Sequence, residues 1–278
     1  MDNKLLRQVQ LVQLEILKEV KRICDENDIA YSLEGGTLLG AIRHKGFIPW
    51  DDDLDISMVR TEYERFLKIA PEAIKPEYVV QSWYSDAGYG LPFAKVRKRN
   101  TLYLEKATEK AACNQGIFID VFPYDEYPED TAAQKEQGKV YTFYKTLILA
   151  KCHYTPWYDC GTINWKKYIL YLPFRFLAMF QSKEAMIKKY DENAKKYNGE
   201  GHKQLYIQDA SAYGKYPVSS GIFQDESLIP FEDDEFKAPR DYDELLTAMY
   251  GDYMTPPPKG QRENRHRVLK ISFGDEKE

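Results

Sequence analysis

Apolar residues recur at steps of three and four through the first 27 residues, at Leu5, Val9, Val12, Ile16, Val20 and Ile23. That spacing predicts one amphipathic helix ending near Asn27. Ile29 to Gly36 (IAYSLEGG) reads as a short strand running into a glycine turn, and Thr37 to Arg43 as one or two helical turns broken by Gly46 and Pro49. In Asp53 to Met58 (DLDISM) the pattern alternates, with Asp53, Asp55 and Ser57 facing one way and Leu54, Ile56 and Met58 the other. Thr61 and Glu64 have the spacing of a capping box for a helix running to Pro71. Leu91 to Glu105 predicts one or two strands, and in an unbroken strand Lys95, Arg97 and Arg99 share a face. Gly116 to Pro128 (GIFIDVFPYDEYP) predicts a buried strand that carries one acid, Asp120, between apolar neighbours.

From Thr131 to about Lys196 the pattern is helical, and Trp165 to Phe180 within it (WKKYILYLPFRFLAMF) is aromatic, apolar and flanked by lysines. It is too short and too charged to span a bilayer, so it predicts a core helix pair interrupted at Pro173, with an interfacial membrane contact through 165–180 as the second reading. Asp241 to Tyr250 predicts a final helix, capped by Asp241 with Glu244 and stopped by Gly251. A proline run at Pro256 and basic residues at Arg262, Arg265, His266, Arg267 and Lys270 follow; the basic run reads first as a solvated face. These elements predict an α+β fold. They divide the chain into a core over 1–130, a mainly helical specificity region over 131–239, and a helix with a basic tail over 240–278.

Composition narrows the classes. With 278 residues, 43% hydrophobic, the chain can bury a substantial core, and a net charge of −5 argues against a nucleic-acid partner. Four cysteines in this length are no disulfide framework, and the N-terminus lacks the apolar core of a signal peptide. The expected setting is cytoplasmic, extending to the inner membrane face if 165–180 makes contact there.

The chemistry concentrates at Leu33 to Ser57 (LEGGTLLGAIRHKGFIPWDDDLDIS). Carboxylates crowded at Asp51, Asp52, Asp53 and Asp55 repel one another, and a hard cation such as Mg²⁺ or Mn²⁺, which prefers oxygen ligands, relieves that repulsion. Asp53 and Asp55 alternate onto one face as candidate ligands, Asp120 supplies a third acid from another strand, and Asp51 and Asp52 form a supporting shell. The pair Gly35 and Gly36 lets backbone N–H groups approach a phosphate at a helix N-terminus. Strand with glycine pair, D-x-D strand and later acid strand together have the order found in the nucleotidyltransferase fold, a mixed sheet flanked by helices.

The longer string GGTLLGAIRHKGFIPWDDDLDIS closely resembles the signature of the LicD family, named for bacterial phosphorylcholine transferases and related to fukutin-type ribitol-phosphate transferases. LPFAKVRKRNT resembles that family's basic strand, GIFIDVFP its third-acid strand, and YGDYMTPPPKGQR its C-terminal helix and proline turn. The resemblance covers Leu33 to Pro128 and Asp241 to Arg267, and nothing between Thr131 and Pro239. It implies transfer of a phospho-alcohol from a CDP-activated donor, CDP-choline foremost, to a sugar hydroxyl of a cell-surface glycan, lipopolysaccharide or teichoic-acid precursor. Carried over by position, it makes Asp53, Asp55 and Asp120 the metal and catalytic acids, with Asp120 either a ligand or the general base. It gives the donor phosphates to Gly35, Gly36, Thr37, Arg43, Lys95 and Arg97. A choline donor adds the need for an aromatic cage, with Trp83, Tyr84, Tyr89 and Trp157 as candidates.

Four other readings compete. Asp51, Asp53, Asp55 and Glu62 have calcium-loop spacing, but Ile56 stands where the turn needs glycine, and Pro49 and Trp50 stand where a helix should enter. A D-x-D glycosyltransferase using a nucleotide-sugar expects a Rossmann-like half before the motif, where only about 50 residues are present. A plain nucleotidyltransferase shares the same acids and stays open. Cys113, Cys152, His153 and Cys160 lack a standard zinc spacing.

Overall fold

The computed structural model describes residues 2–156, 158, 159, 162–209, 212–262 and 266–274. The N-terminal pattern folds as helix α1 (Asn3–Glu26), capped by the Asp2 carboxylate accepting from Leu5 N–H. Strand β1 (Ser32–Leu33) leads directly into α2 (Gly35–His44), so the glycine pair forms the first turn of a helix and not a turn before it. β2 (Asp55–Val59) passes without a loop into α3 (Arg60–Ala73). Because Val59 is still extended where α3 begins, no separate N-cap exists, and the capping box expected at Thr61 does not form. β3 (Tyr78–Gln81), β4 (Ala94–Lys98), β5 (Leu102–Glu105) and β6 (Phe118–Tyr127) follow. Lys95 and Arg97 lie on one strand as the alternation requires. Arg99 falls beyond its end, where Asn100 turns the chain at φ 60°.

The helical region comprises α4 (Thr131–Lys151), a small hairpin β7 (Tyr158–Asp159) and β8 (Thr162–Ile163), α5 (Trp165–Met179) and α6 (Lys183–Ala194). The chain then returns to the core as β9 (Gln204–Ile207), β10 (Val218–Ser219) and the hairpin β11 (Glu226–Phe231) and β12 (Asp234–Pro239). The region expected to be helical over 131–239 is therefore helical only to Ala194; Leu205, Val218, Phe231 and Phe236 belong to the main core. α7 (Tyr242–Tyr250) stops at Gly251, φ 66°, as expected. Its Glu244 accepts from Ser219 N–H in place of closing a capping box. β13 (Val268–Ser272) pairs with β5, so the basic tail is partly sheet.

Strands β1-β2-β6-β4-β3 form a mixed sheet in that order, and β9 and β10 extend it. The central strand β6 runs parallel to β2 on one side. On the other side it pairs antiparallel first with β4, through Val121, and then with β9, from Tyr124. Pro123 sits at that change of partner. Asp120 N–H points toward β2, where it donates to Leu54; alternation turns the position-123 nitrogen toward the gap between β4 and β9, so its missing N–H costs no ladder bond. One face of the sheet presents Ile56, Met58, Ile119, Val121 and Val96, which pack with Leu17, Val20 and Ile23 of α1 and Phe66 and Ala70 of α3. A second core lies among α4, α5 and α6 and takes in Trp83, Tyr89 and Ala111.

α5 is one continuous helix through Pro173, not an interrupted pair. Tyr171 and Ala178 are buried, whereas Trp165, Ile169, Leu172, Phe176 and Phe180, at steps of three and four, are exposed on the opposite face. No helix among the described residues is long and apolar enough to cross a membrane.

The two cores meet at a buried ion pair. Arg60, at the start of α3, donates from Nε to Asp125 Oδ1 on β6 at 2.8 Å and from Nη2 to Oδ2 at 2.5 Å. Asn198 and Gln208 donate to the same carboxylate at 2.6 and 2.7 Å. The Asp125 charge and hydrogen bonds outweigh burial and raise the Arg60 pKa. Removing one partner leaves the other charge buried and unpaired, so Asp125→Ala is expected to destabilise the fold by about 3–5 kcal/mol. Thermal and urea unfolding measure this, and a loss under 1 kcal/mol contradicts the assignment.

Candidate active site

The parallel register of β2 and β6 places Asp55 directly beside Asp120, and the antiparallel register of β6 and β4 places Lys95 on Asp120's other side. Opposed residues share a face, so Asp55, Asp120 and Lys95 form one row across three strands. Lys95 Nζ reaches Asp120 Oδ1 at 2.5 Å, with both side chains nearly buried, and lies 3.4 Å from the centroid of Phe118. Burial and the charges of Asp53, Asp120 and Asp51 push the Asp55 carboxyl well above the ordinary range. Asp120 is raised as well, chiefly by burial, against the opposing pull of Lys95.

The Asp55 backbone is fixed by α2. Its N–H donates to Thr37 Oγ1 at 2.8 Å, and its carbonyl accepts from Glu34 N–H at 3.0 Å. The glycine pair makes room for acids. Gly35 adopts φ 52°, and a Cβ there would lie 3.6 Å from Asp55 Oδ2; a Cβ on Gly36 would lie 2.5 Å from Asp51 Oδ2. Both carboxylates thus sit against the positive end of α2.

The lead-in segment 50–54 is irregular, so only Asp55 of the D-x-D pair is on the strand. Two buried glutamines of α1 hold that segment. Gln10 Nε2 donates to the carbonyls of Asp51 (2.9 Å) and Ile48 (3.3 Å), and Gln13 Nε2 donates to that of Asp52 at 3.0 Å. Asp52 is fully buried and turned away from the row; it accepts from Tyr103 Oη at 3.0 Å and from His266 Nδ1 at 3.1 Å. Burial opposes charge on His266, but the Asp52 bond and the Glu105 and Asp53 carboxylates prevail and push its pKa up to about 10. Asp52, Asp53 and His266 form the one trio among the described residues whose ligand atoms all lie within 4.8 Å of one another. His266 Nδ1 lies 3.1 Å from Asp52 Oδ1 and 3.9 Å from Asp53 Oδ2, so the trio is linked by ion pairs when His266 is protonated.

A cleft of about 710 Å³ opens at the Asp55 end of the row, lined by Glu34, Gly35, Gly36, Arg43, Asp51, Asp53 and Asp55 together with side chains from the C-terminal third, while Asp120 and Lys95 lie behind its wall. Of the residues expected at the donor phosphates, Gly35, Gly36 and Arg43 line it. Thr37 is engaged by Asp55, and Lys95 by Asp120. Arg97 is buried and donates to Gln81 Oε1 and to the Gly116 carbonyl. For Thr37, Lys95 and Arg97 the structure therefore gives positions that hold the acid row, away from the cleft wall.

Three of the four aromatic cage candidates also lie elsewhere. Trp83 and Tyr89 are buried in the helical core, with the Trp83 ring 5.0 Å from Tyr190, and the Tyr84 hydroxyl is engaged by Asp191. Trp157 lies outside the described residues, as does Cys160 of the weighed zinc set. The aromatic side chains on the cleft wall are Trp50, Phe122, Tyr216, Tyr250 and Tyr253, joined by Asp209, Lys215 and Asp252. Trp50, Phe122, Tyr250, Asp252 and Tyr253 fall inside the family-like strings, whose resemblance singles out none of them; Asp209, Lys215 and Tyr216 come from a stretch with no such string. Glu34 was also missed; it is buried, accepts from Tyr124 Oη at 3.2 Å, and burial pushes its pKa up to about 7. Its signal was a glutamate standing directly before the glycine pair, at the N-cap of α2.

Comparison with known proteins agrees with this arrangement. Residues 28–161 match the family model described as the nucleotidyltransferase domain of LicD, FKTN and FKRP. The chain is 32% identical over 268 residues, 94% of its own length and 96% of the relative's, to the lipopolysaccharide cholinephosphotransferase LicD of Haemophilus influenzae. Two uncharacterized rickettsial proteins match over shorter stretches. That of Rickettsia typhi is 30% identical across 60% of this chain and 51% of its own, and that of Rickettsia prowazekii 28% identical across 57% of each. Identity at that level along nearly the whole chain, over a cleft built from the glycine pair and the paired acid strands, makes this protein a member of the LicD family of transferases.

Proposed function

We propose that the cleft transfers phosphocholine from CDP-choline, with Mg²⁺ or Mn²⁺, to a sugar hydroxyl of a lipopolysaccharide, teichoic-acid or similar cell-surface glycan precursor. The observation that carries this reading is the Asp55–Asp120 row beside the glycine turn of α2, in a chain collinear with a cholinephosphotransferase. The donor set fits a hard divalent cation: it is all oxygen, and its mutual repulsion raises the Asp55 pKa. Asp53 and Asp55 would hold the cation, with Asp120 beside them. When bound, it neutralises the donor phosphates and lowers the pKa of an attacking hydroxyl.

The protein's own groups divide the remaining work. The start of α2 and Arg43 orient the diphosphate. The acceptor oxygen bonds to the phosphorus bearing choline, the bond from that phosphorus to the bridging oxygen breaks, and CMP leaves. The hydroxyl proton passes to a cleft carboxylate. Glu34, with its pKa near 7, suits that role, while Asp120 is held by Lys95. Tyr216, Tyr250 and Tyr253, with the charges of Asp209 and Asp252, suit the choline cation. Lys215 Nζ already stands 4.7 Å from the Tyr216 ring centroid, the kind of contact a quaternary ammonium makes.

The exposed apolar stripe of α5, flanked by Lys166, Lys167 and Arg175, suits peripheral contact with an anionic membrane, where a lipid-linked acceptor is met. Asp120, buried against Lys95, and the half-buried Asp53 call for different substitutions.

Asp53→Ala and Asp120→Asn are each expected to lower turnover of CDP-choline by about 100-fold or more with the fold intact by circular dichroism, whereas Asp120→Ala also destabilises it by stranding the Lys95 ammonium. Full activity in either of the first two purified variants contradicts the assignment. CDP-choline with Mg²⁺ at 100 times its Kd should raise Tm by about 5 °C or more. A UDP-sugar that does so while no CDP-alcohol does would instead favour a glycosyltransferase. On α5, Phe176→Ser with Phe180→Ser should abolish co-sedimentation with phosphatidylglycerol vesicles; a wild-type protein that stays in the supernatant, or that dimerises through this face, contradicts the membrane contact.

A further inference from the structure

A second groove, of about 620 Å³, adjoins the acid cleft at Trp50, which lines both. It is lined by the first turns of α1, Trp50, Arg262, His266, Arg267 and Lys270. Trp50 also forms part of the cleft wall, so the two spaces share one indole as a partition. Their electrostatics are opposite. The cleft carries Glu34, Asp51, Asp53 and Asp55, whereas no carboxylate lines the groove among the described residues. Arg262, Arg267 and Lys270 line the groove beside His266, whose ring is paired with the buried Asp52.

Arg262 and the His44 ring both contact the partition. The Arg262 guanidinium lies 5.0 Å from the Trp50 ring centroid, and the His44 ring meets Trp50 edge-on with centroids 6.0 Å apart. Arg262 is fixed by donating from Nε to the Pro257 carbonyl at 2.8 Å. Burial and the Arg262 charge both act against the Arg43 guanidinium on the cleft side. No ion pair joins Arg262, Arg267 or Lys270 to a carboxylate among the described residues. Like charges held together on a rigid aromatic partition make a site for a multiply charged anion, with two guanidinium forks suited to phosphate oxygens.

We propose that this groove binds a phosphate group carried by the acceptor, so that a phosphorylated sugar lies across Trp50 with its reacting hydroxyl over the acid cleft. The word acceptor rests on the transfer reading above; the anion site does not. An anion on the acceptor is repelled by the acids of the cleft, and the groove is the adjoining space where the potential has the opposite sign.

The test titrates metal-free protein with inorganic phosphate, glucose 6-phosphate and glucose, following the Trp50 indole resonance assigned with Trp50→Phe. Phosphate and glucose 6-phosphate should shift that resonance and glucose should not. The Arg267→Ala/Lys270→Ala double variant, which changes two exposed side chains, should bind glucose 6-phosphate about tenfold or more weakly, with the CDP-choline thermal shift unchanged. Glucose 6-phosphate should still bind when CDP-choline and Mg²⁺ saturate the cleft. Absence of a shift with phosphate, equal binding by the double variant, or full displacement by CDP-choline overturns the proposal, the last by assigning the anion to the donor. Phosphate binding in the groove of a protein that ignores every CDP-alcohol would leave the anion site standing and overturn the transfer reading.

Discussion

The parallel pairing of β2 with β6 is the constraint on which the site depends. It forces Asp55 and Asp120 into adjacency, an arrangement that costs free energy through burial and like charge and that a strand register cannot relax. Everything nearby reads as compensation. Lys95 neutralises one acid from the next strand, α2 presents its positive end to the other, and Thr37 and Glu34 bond the Asp55 backbone. The position of α1 follows from the same requirement. It is the cover of the sheet's apolar face, and Gln10 and Gln13 make it also the clamp on the segment that delivers Asp53.

The acid row was legible because two short-range rules converge on it. A period of two fixes the face of a strand residue, and a lone acid in an apolar strand is rarely idle. What a face does not reveal is its partner. Lys95 and Arg97 do share a face as the alternation requires, but whether they meet a ligand or a neighbouring strand depends on pairing between segments about 20 residues apart. The same limit hid Gln10 and Gln13, whose only sign was two amides on the apolar side of a helix. The capping box at Thr61 failed for a different reason: β2 joins α3 directly, and Arg60 is drawn into its ion pair with Asp125.

The cleft wall shows how much specificity lies in non-local assembly. Asp209 and Tyr216 come from loops with no recognisable local pattern, and Tyr250, Asp252 and Tyr253 from a C-terminal string whose resemblance says nothing of which side chains reach the cleft, whereas Trp83 and Tyr89, closer in sequence to the acids, were needed to fill a hydrophobic core. In a chain with 14% aromatic residues, proximity in sequence is a poor guide to which rings line a cavity.

The change of partner along β6 makes the helical region a detachable cassette. The chain leaves the sheet at Tyr127 and re-enters at Gln204, which is the residue paired with Tyr127. Two ends held side by side could be closed by a hairpin turn, so residues 128–203 can lengthen, shorten or be exchanged while the register at Asp120 stays the same. The limits on such exchange are the apolar cap the cassette places on Trp83, Tyr89 and Ala111 and the Asn198 bond to the buried Asp125, which any replacement must restore. Architecture of this kind lets one transfer centre be refitted for different surroundings by changing a single contiguous stretch of chain.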